Sequence, residues 1–487
     1  MKTIRQKISF FLLCVILVWT IPTIRTDAAF RIPGICQVQA DEGAAYSVKT
    51  LDCDYANNTY FSLRDIAMIL KDSEKSFSLE IRKNGAALNP GGEYVPVGAE
   101  NASWEELTWE DGEIPEAAVR RNEFKINGEE VSYHTMILPL PSGAYDCFMM
   151  AADLAMILDM DIAVLDAGSL QINTRESFHI SPEALEQAGY FYGVNSVLAG
   201  DATTGEIYYR YQSDIPYPIA STSKLMTCLL TMDVISAGQL KPEDTVTVSQ
   251  AAQLLSESSD GVIPMEAGQQ ITVQDLLTGA LLPSSNECAL CLAEAVAGSE
   301  EAFVERMNQK AAELGLSGAE FFNCNGLPVY TEDPVPAKRQ NRMSAQDMFR
   351  LVSYLLNVYP QVKDITSLQT ASLESVGIEV RNTNPLLRNL PQVTGLKTGT
   401  TNKAGACLVT SLTADDGEMD HDLAVIVLGT EDSAERGRVS GLLARYALDT
   451  FYTGAESVQN EAALRPERLP VKAEAAVDWI LKRAEKR

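Results

Sequence analysis

Histidine is scarce in this chain: His134, His179 and His421 are the only three in 487 residues. No two of them have the spacing by which a helix or loop holds zinc, so a His-based metallopeptidase is excluded, and no metal or other cofactor is expected. His179 and His421 leave a Ser-His-Asp triad open in number, but no Gly-x-Ser-x-Gly elbow surrounds any serine. Basic residues are few as well. Thirty-nine Lys and Arg stand against 66 Asp and Glu, a net charge of −27, so nucleic acid is not a partner.

The apolar stretch over residues 8–19 is too short for a spanning helix. Lys2, Arg5 and Lys7 precede it and Thr26-Asp27-Ala28 follows with small residues, the pattern of a secretory signal peptide over 1–28. Export to the extracellular side and cell wall is therefore expected, with retention as a membrane anchor the other reading. Cys14 lacks a lipobox. Eight further cysteines form an even set, but a chain of this length does not need a disulfide framework, and most read as small core residues. Cys36 with Cys53 is the pair least excluded.

With histidine set aside, an acyl-transfer serine needs a different base, and lysine is a known solution. Ser221-Thr222-Ser223-Lys224, Ser284-Ser285-Asn286 and Lys397-Thr398-Gly399 occur in that order. Pro218 ends an extended segment, and the apolar run from Leu225 stops near Gly238, which predicts a buried helix with Ser221 in its first turn. Three-residue spacing puts Lys224 one turn along on the same face, within reach of the serine hydroxyl. Burial beside a second cation such as Lys397 would lower its pKa enough to make it a base.

The flanks carry a resemblance. The segments 201–207 (DATTGEI), 218–227 (PIASTSKLMT), 272–277 (TVQDLL) leading into 282–287 (LPSSNE), 303–308 (FVERMN), 395–401 (GLKTGTT) and 404–408 (AGACL) resemble a serine-type D-alanyl-D-alanine carboxypeptidase, a low-molecular-mass penicillin-binding protein, over about 190–452. The family's Ser-Gly-Asn is Ser284-Ser285-Asn286 here, and its His-Gly-Leu is Asn325-Gly326-Leu327; neither departure is expected to touch a reacting atom. The resemblance implies an α/β penicillin-binding/β-lactamase-like transpeptidase fold, an antiparallel sheet flanked by helices with a helical subdomain. It implies that Ser221 attacks the penultimate D-alanine carbonyl, Lys224 takes its proton, Ser284 relays a proton to the leaving D-alanine and Asn286 holds the substrate amide. Lys397 acts electrostatically and Thr398 binds the terminal carboxylate. The N–H groups of Ser221 and Thr400 form the oxyanion hole, and Gly399 lets the substrate lie against its strand. Arg436 is a further candidate for the carboxylate end, an exposed helix-start arginine being the alternative. Peptidoglycan stem peptides are the implied substrates and β-lactams the implied inhibitors. A β-lactamase shares the three motifs, and a catalytically silent cell-wall stalk is the third reading.

Residues 30–175 read as a separate, duplicated α+β domain. Asp65-Ile66-Ala67-Met68-Ile69-Leu70 recurs as Asp153-Leu154-Ala155-Met156-Ile157-Leu158, an offset of 153 − 65 = 88 residues. Each copy reads strand, short helix and one or two further strands, and Asn127-Gly128 marks a hairpin. The pattern at 60–67 resembles the copper-amine-oxidase-like N-terminal stalk repeat, but no histidine cluster accompanies it and no copper is expected. A spacer is one role for it, cell-wall or partner binding the other. Seven acidic and no basic residues from Glu100 to Glu116 read as a solvated loop. The catalytic domain is expected over 176–452. A linker and C-terminal helix over 453–487 follow, the helix either solvated and packed on the enzyme or resting its basic end on the membrane surface.

Overall fold

The computed structural model describes residues 31–453 apart from 54–57, 111–113, 116–119, 167–168, 179–181, 183–190, 192 and 331–337. The expected signal peptide, and the expected C-terminal helix beyond Thr453, lie outside the described residues. The chain divides into two units between Phe178 and His179.

The first unit is built on one ten-stranded sheet. Its elements in chain order are β1 (Arg31–Ala40), β2 (Ala45–Cys53), β3 (Asn58–Ser62), α1 (Leu63–Leu70), β4 (Phe77–Arg82), β5 (Gly85–Pro90), β6 (Arg120–Ile126), β7 (Glu129–Pro139), β8 (Tyr145–Met150), α2 (Ala151–Leu158), β9 (Asp161–Asp166) and β10 (Ser169–Asn173). Asp65 and Asp153 each lie in the first turn of a short helix that directly follows a strand, and a hairpin follows each helix. The strand order is β4-β5-β6-β7-β8-β3-β2-β1-β10-β9, symmetric about the β8–β3 pair. The first repeat's hairpin, β4–β5, joins the second repeat's strands through a parallel β5–β6 pair, and β9–β10 returns the exchange through a parallel β1–β10 pair. The two repeats have traded hairpins. Asn127 (φ 52°) and Gly128 (φ 83°) form the β6–β7 turn, the left-handed geometry that a two-residue hairpin requires.

A buried ion pair sits at the start of α1. Lys49 Nζ lies 2.7 Å from Asp65 Oδ1, with both side chains almost wholly excluded from water. Lys49 Nζ also donates to the Ala99 carbonyl at 3.0 Å, and Asn101 N–H donates to Asp65 at 2.8 Å. The acidic loop is thereby tied to the sheet. Trp104 stacks on Phe148 and donates to the Gly34 carbonyl at 2.8 Å, and Tyr94 and Ala99 are buried. Of the acidic residues, Glu105, Glu106 and Glu110 face solvent, in line with the solvated-loop reading, while Asn101 and Trp104 anchor the segment. The Cys36–Cys53 bridge is also corrected. Cys36 opposes Val48 while Cys53 opposes Arg31. That separation of five residues is about 17 Å of strand, far beyond disulfide reach.

The second unit is organised around a five-stranded antiparallel sheet. Its strands are β11 (Ser196–Asp201), β12 (Glu206–Tyr211), β13 (Val393–Thr401), β14 (Gly405–Asp415) and β15 (Asp420–Thr430), in the order β12-β11-β15-β14-β13. β11 and most of β14 and β15 are buried residue after residue, so both faces of the sheet must be covered. The helical remainder comprises α3 (Lys224–Ser236), α4 (Gln250–Ser256), α5 (Val273–Leu281), α6 (Asn286–Ala297), α7 (Glu300–Glu313), α8 (Ala345–Val358), α9 (Val362–Thr366) and α10 (Ser433–Thr453). α8 and α10 both pack against the sheet, and α3, α5, α6 and α7 share one core with Leu229, Leu276, Leu292 and Phe303 fully buried.

Candidate active site

Ser221 is presented from a short 3-10 turn, Ala220–Ser223, that precedes α3. Ala220 has φ 47°, a left-handed conformation that costs a non-glycine residue about 1 kcal/mol or more and persists only when its surroundings hold it. They do. Thr222 Oγ1 and Ser223 Oγ donate back to the Ile219 and Ala220 carbonyls at 2.6 and 2.7 Å. Gly326 approaches so closely that a Cβ there would stand 2.0 Å from the Ala220 oxygen. Gly399 also lies against this turn, a contact beyond the role expected of it. The space its missing side chain leaves is filled by the backbone of the Ser221 turn. β13, an edge strand of its sheet, is thus docked directly against the Ser221 turn.

Lys224 is the first residue of α3 and is fully buried. Its Nζ lies 2.9 Å from Ser221 Oγ, 2.8 Å from Asn286 Oδ1, 3.0 Å from the Asn325 carbonyl and 3.5 Å from Ser284 Oγ. Burial holds its pKa down at about 7, and the neighbouring Cys324, Glu287 and Cys288 oppose that shift. A neutral amine has two hydrogens. The Asn286 oxygen and the Asn325 carbonyl accept both, which aims the lone pair at the Ser221 hydroxyl. The amide orientation of Asn286 is set by its other end, where Nδ2 donates to the Asp260 carbonyl at 2.7 Å.

The second motif reads the same way locally. Ser285 caps α6, its Oγ accepting from Cys288 N–H at 3.0 Å, so the serine at the family's glycine position has a use here. Ser284 has φ 71°, which turns its hydroxyl towards Lys224. Glu287, absent from the sequence-based set, lies fully buried behind Asn286. Its Oε1 accepts the N–H groups of Val262 (3.0 Å) and Ile263, and so fixes the loop that carries the Asp260 carbonyl.

In the third motif Lys397 is buried and its Nζ donates to the Thr398 carbonyl at 3.0 Å. Burial, then Lys224 and Arg436, push its pKa well below the ordinary lysine value. Thr398 Oγ1 lies 2.6 Å from Thr383 Oγ1. Thr400 lies near the end of β13 with its side chain exposed, and Arg436 donates to its hydroxyl at 3.3 Å and to the Cys407 carbonyl at 3.5 Å. Arg436 is in the first turn of α10 but is buried, so the exposed helix-start reading of it is set aside. The structure therefore gathers Ser221, Ser284 and Asn286 within hydrogen-bond range of the Lys224 amine, with Lys397–Thr400 on the strand alongside.

Three contributors were missed. Asn325 belongs to a departure expected not to touch a reacting group, yet its carbonyl accepts directly from Lys224. Because the backbone makes that contact, the change of side chain leaves it intact. Glu287 and Thr383 act through contacts with residues 15 to 101 positions away. His421 lies elsewhere, opposite Ala414 towards the far end of the β14–β15 ladder, with Nδ1 2.8 Å from Asp201 and Nε2 3.2 Å from Asp416. His179 is outside the described residues. No cluster of potential metal ligands occurs among the described residues, and no described helix is long and apolar enough to cross a membrane.

An antiparallel sheet flanked by helices, a helical subdomain and a serine–lysine pair between them define the penicillin-binding α/β transpeptidase class. The sequence pattern of the D-alanyl-D-alanine carboxypeptidase family matches residues 192–432. The D-alanyl-D-alanine endopeptidase of Pseudomonas aeruginosa is 31% identical over 249 residues, which cover 50% of this chain and 74% of that protein. The D-alanyl-D-alanine carboxypeptidase DacF of Bacillus subtilis is 32% identical over 260 residues, 53% of this chain but 63% of its own length. Among solved structures, a peptidoglycan synthesis regulatory factor (PBP3) from Streptococcus pneumoniae is 30% identical, covering 52% of this chain and 71% of that one with a TM-score of 0.48. This chain belongs to the D-alanyl-D-alanine carboxypeptidase family.

Proposed function

We propose that the protein is an exported serine D,D-carboxypeptidase that removes the terminal D-alanine from peptidoglycan stem peptides through an acyl-enzyme on Ser221. The observation that carries this reading is the 2.9 Å approach of the buried Lys224 amine to Ser221 Oγ, with its two hydrogens accepted by Asn286 and Asn325. Lys224 takes the hydroxyl proton as Ser221 attacks the penultimate D-alanine carbonyl, and Ser284, on the other side of the amine, passes a proton to the departing D-alanine nitrogen. The Ser221 and Thr400 N–H groups receive the oxyanion, and Thr398 with Arg436 receives the terminal carboxylate. Water then releases the shortened peptide.

A β-lactam ring carries the same kind of amide beside a carboxylate, so penicillin acylates Ser221 and stays. Export is supported by the basic residues and apolar stretch at the N-terminus, and peripheral contact with wall or membrane by the expected terminal regions. The first unit serves as a spacer. Incubation with fluorescent penicillin and with a D-Ala-D-Ala-terminated tripeptide tests the reading. Covalent label at Ser221 together with D-alanine release is expected. Label that survives Ser221→Ala overturns the acyl-enzyme assignment, and penicillin consumed without a trapped adduct identifies a β-lactamase instead.

A further inference from the structure

Thr383 bridges two of the three motifs. Its backbone N–H donates to the Leu282 carbonyl at 3.2 Å, two residues before Ser284, and its Oγ1 lies 3.2 Å from that same carbonyl and 2.6 Å from Thr398 Oγ1. The residue is held from both sides. Asn382 Nδ2 donates to the Thr366 and Leu368 carbonyls at 2.9 and 3.0 Å, and Asn384 Nδ2 donates to the Gly395 carbonyl at 2.8 Å. Asn382 Oδ1 in turn accepts the Asn384 N–H at 2.9 Å. A threonine with its backbone fixed on each side, exposed at the cleft, has its hydroxyl in a defined place.

Each hydroxyl owns one hydrogen, so the pair has two polarities. With no ligand, Thr398 donates to Thr383 and Thr383 donates to the Leu282 carbonyl. A carboxylate at Thr398 accepts only, and this reverses the chain: Thr383 donates to Thr398, and Thr398 donates outward. The reversal needs rotation about two C–O bonds and no movement of heavy atoms. The Leu282 carbonyl is not stranded, because the Thr383 N–H still reaches it. A donor that itself accepts a hydrogen bond is the stronger donor, and one aimed at an anion gains most.

We propose that Thr383 is a positioning residue that sets the donor direction of Thr398 and thereby selects ligands ending in a free carboxylate. The inference rests on the carboxypeptidase reading above. Its test compares kcat/KM for a D-Ala-D-Ala tripeptide and for the same peptide as its C-terminal amide, in the full-length protein. Thr383→Val keeps the shape and removes the hydroxyl. It is expected to lower kcat/KM on the free acid about five- to tenfold, through KM, and to lower the weaker amide reaction by clearly less, because a neutral amide oxygen gains less than an anion from the strengthened donor. Thr383→Ser restores the wild-type preference. In a Thr398→Val background, Thr383→Val is expected to cost nothing further, since the residue acts through Thr398. Equal losses on acid and amide, or fully additive losses in the double variant of an active enzyme, overturn the inference. A wild-type protein that neither releases D-alanine nor takes penicillin overturns the functional reading, and this inference with it.

Discussion

Gly399 lies against the backbone of the Ser221 turn: a Cβ on it would stand 2.8 Å from Ser221 N and 3.0 Å from Thr222 N and the Ile219 oxygen. These are main-chain atoms of a turn fixed on several sides, so none can step aside cheaply. Gly399→Ala is therefore expected to displace Ser221 by part of an ångström and slow penicillin acylation about 100-fold, while the protein stays folded. Acylation kinetics with a thermal melt alongside decide it. A wild-type rate in the alanine variant would mean that the turn and strand yield.

The pH dependence of acylation follows from Lys224. The amine must be neutral to take the serine proton, so the rate rises with pH and levels off above about 7, where burial has placed its pKa. Glu287 opposes that depression by favouring the ammonium form. Glu287→Gln keeps the shape and removes the charge, so the acidic limb is expected to move about one pH unit lower. Stopped-flow labelling across pH measures the limb, and an upward shift would contradict the sign. Lys224→Ala is expected to cut acylation by at least 10²–10⁴-fold with the fold retained.

Much of this arrangement is legible in the chain because it is local. Ser221 and Lys224 are one turn apart, Ser285 caps the helix that Asn286 begins, and Lys397–Gly399 runs along a single strand. The strand–helix–hairpin order shared by the two repeats is visible for the same reason. What escapes is tertiary. Glu287 matters through Val262 and Ile263, and Thr383 through Leu282 and Thr398, pairings that no periodicity announces. Arg436 and the segment around Trp104 are polar enough to read as surface. Arg436 is buried against Thr400 and Cys407, and Trp104 is anchored by Gly34 and Phe148, neighbours that only the folded chain brings near. The Cys36–Cys53 pairing fails on register, which the sequence leaves open.

A shortened chain beginning at Phe178 is expected to keep carboxypeptidase and penicillin-labelling activity on soluble substrates, because every candidate catalytic group lies in the second unit. A folded truncation with no activity would place part of the site upstream.

The first unit offers its own test. Lys49→Met leaves Asp65 buried without its cation and is expected to destabilise that unit by roughly 3–5 kcal/mol. Tryptophan emission can follow the unfolding, since Trp104 and Trp109 belong to this unit and the remaining two, Trp19 and Trp479, lie near the chain ends. In urea melts of the full chain the emission change of Lys49→Met should come at lower urea than in wild type, while penicillin labelling persists. A Lys49→Met melt that matches wild type would show the pair to be dispensable.

The exchange of hairpins has a mechanical consequence. Because β9–β10 crosses to the first repeat, the unit's first strand and its last are parallel neighbours, Gln37 to Ala40 lying against Ser169 to Ile172. Tension applied at Arg31 and beyond Asn173 pulls those two strands along their own length in opposite directions. The ladder is then loaded in shear, with its hydrogen bonds resisting together, instead of opening one after another like a zipper. The exit is latched as well, by Asp41 accepting the Thr174 N–H at 2.8 Å and its hydroxyl at 2.7 Å. Force entering at one end of the unit can leave at the other across a single strand pair, while the other eight strands carry little of it.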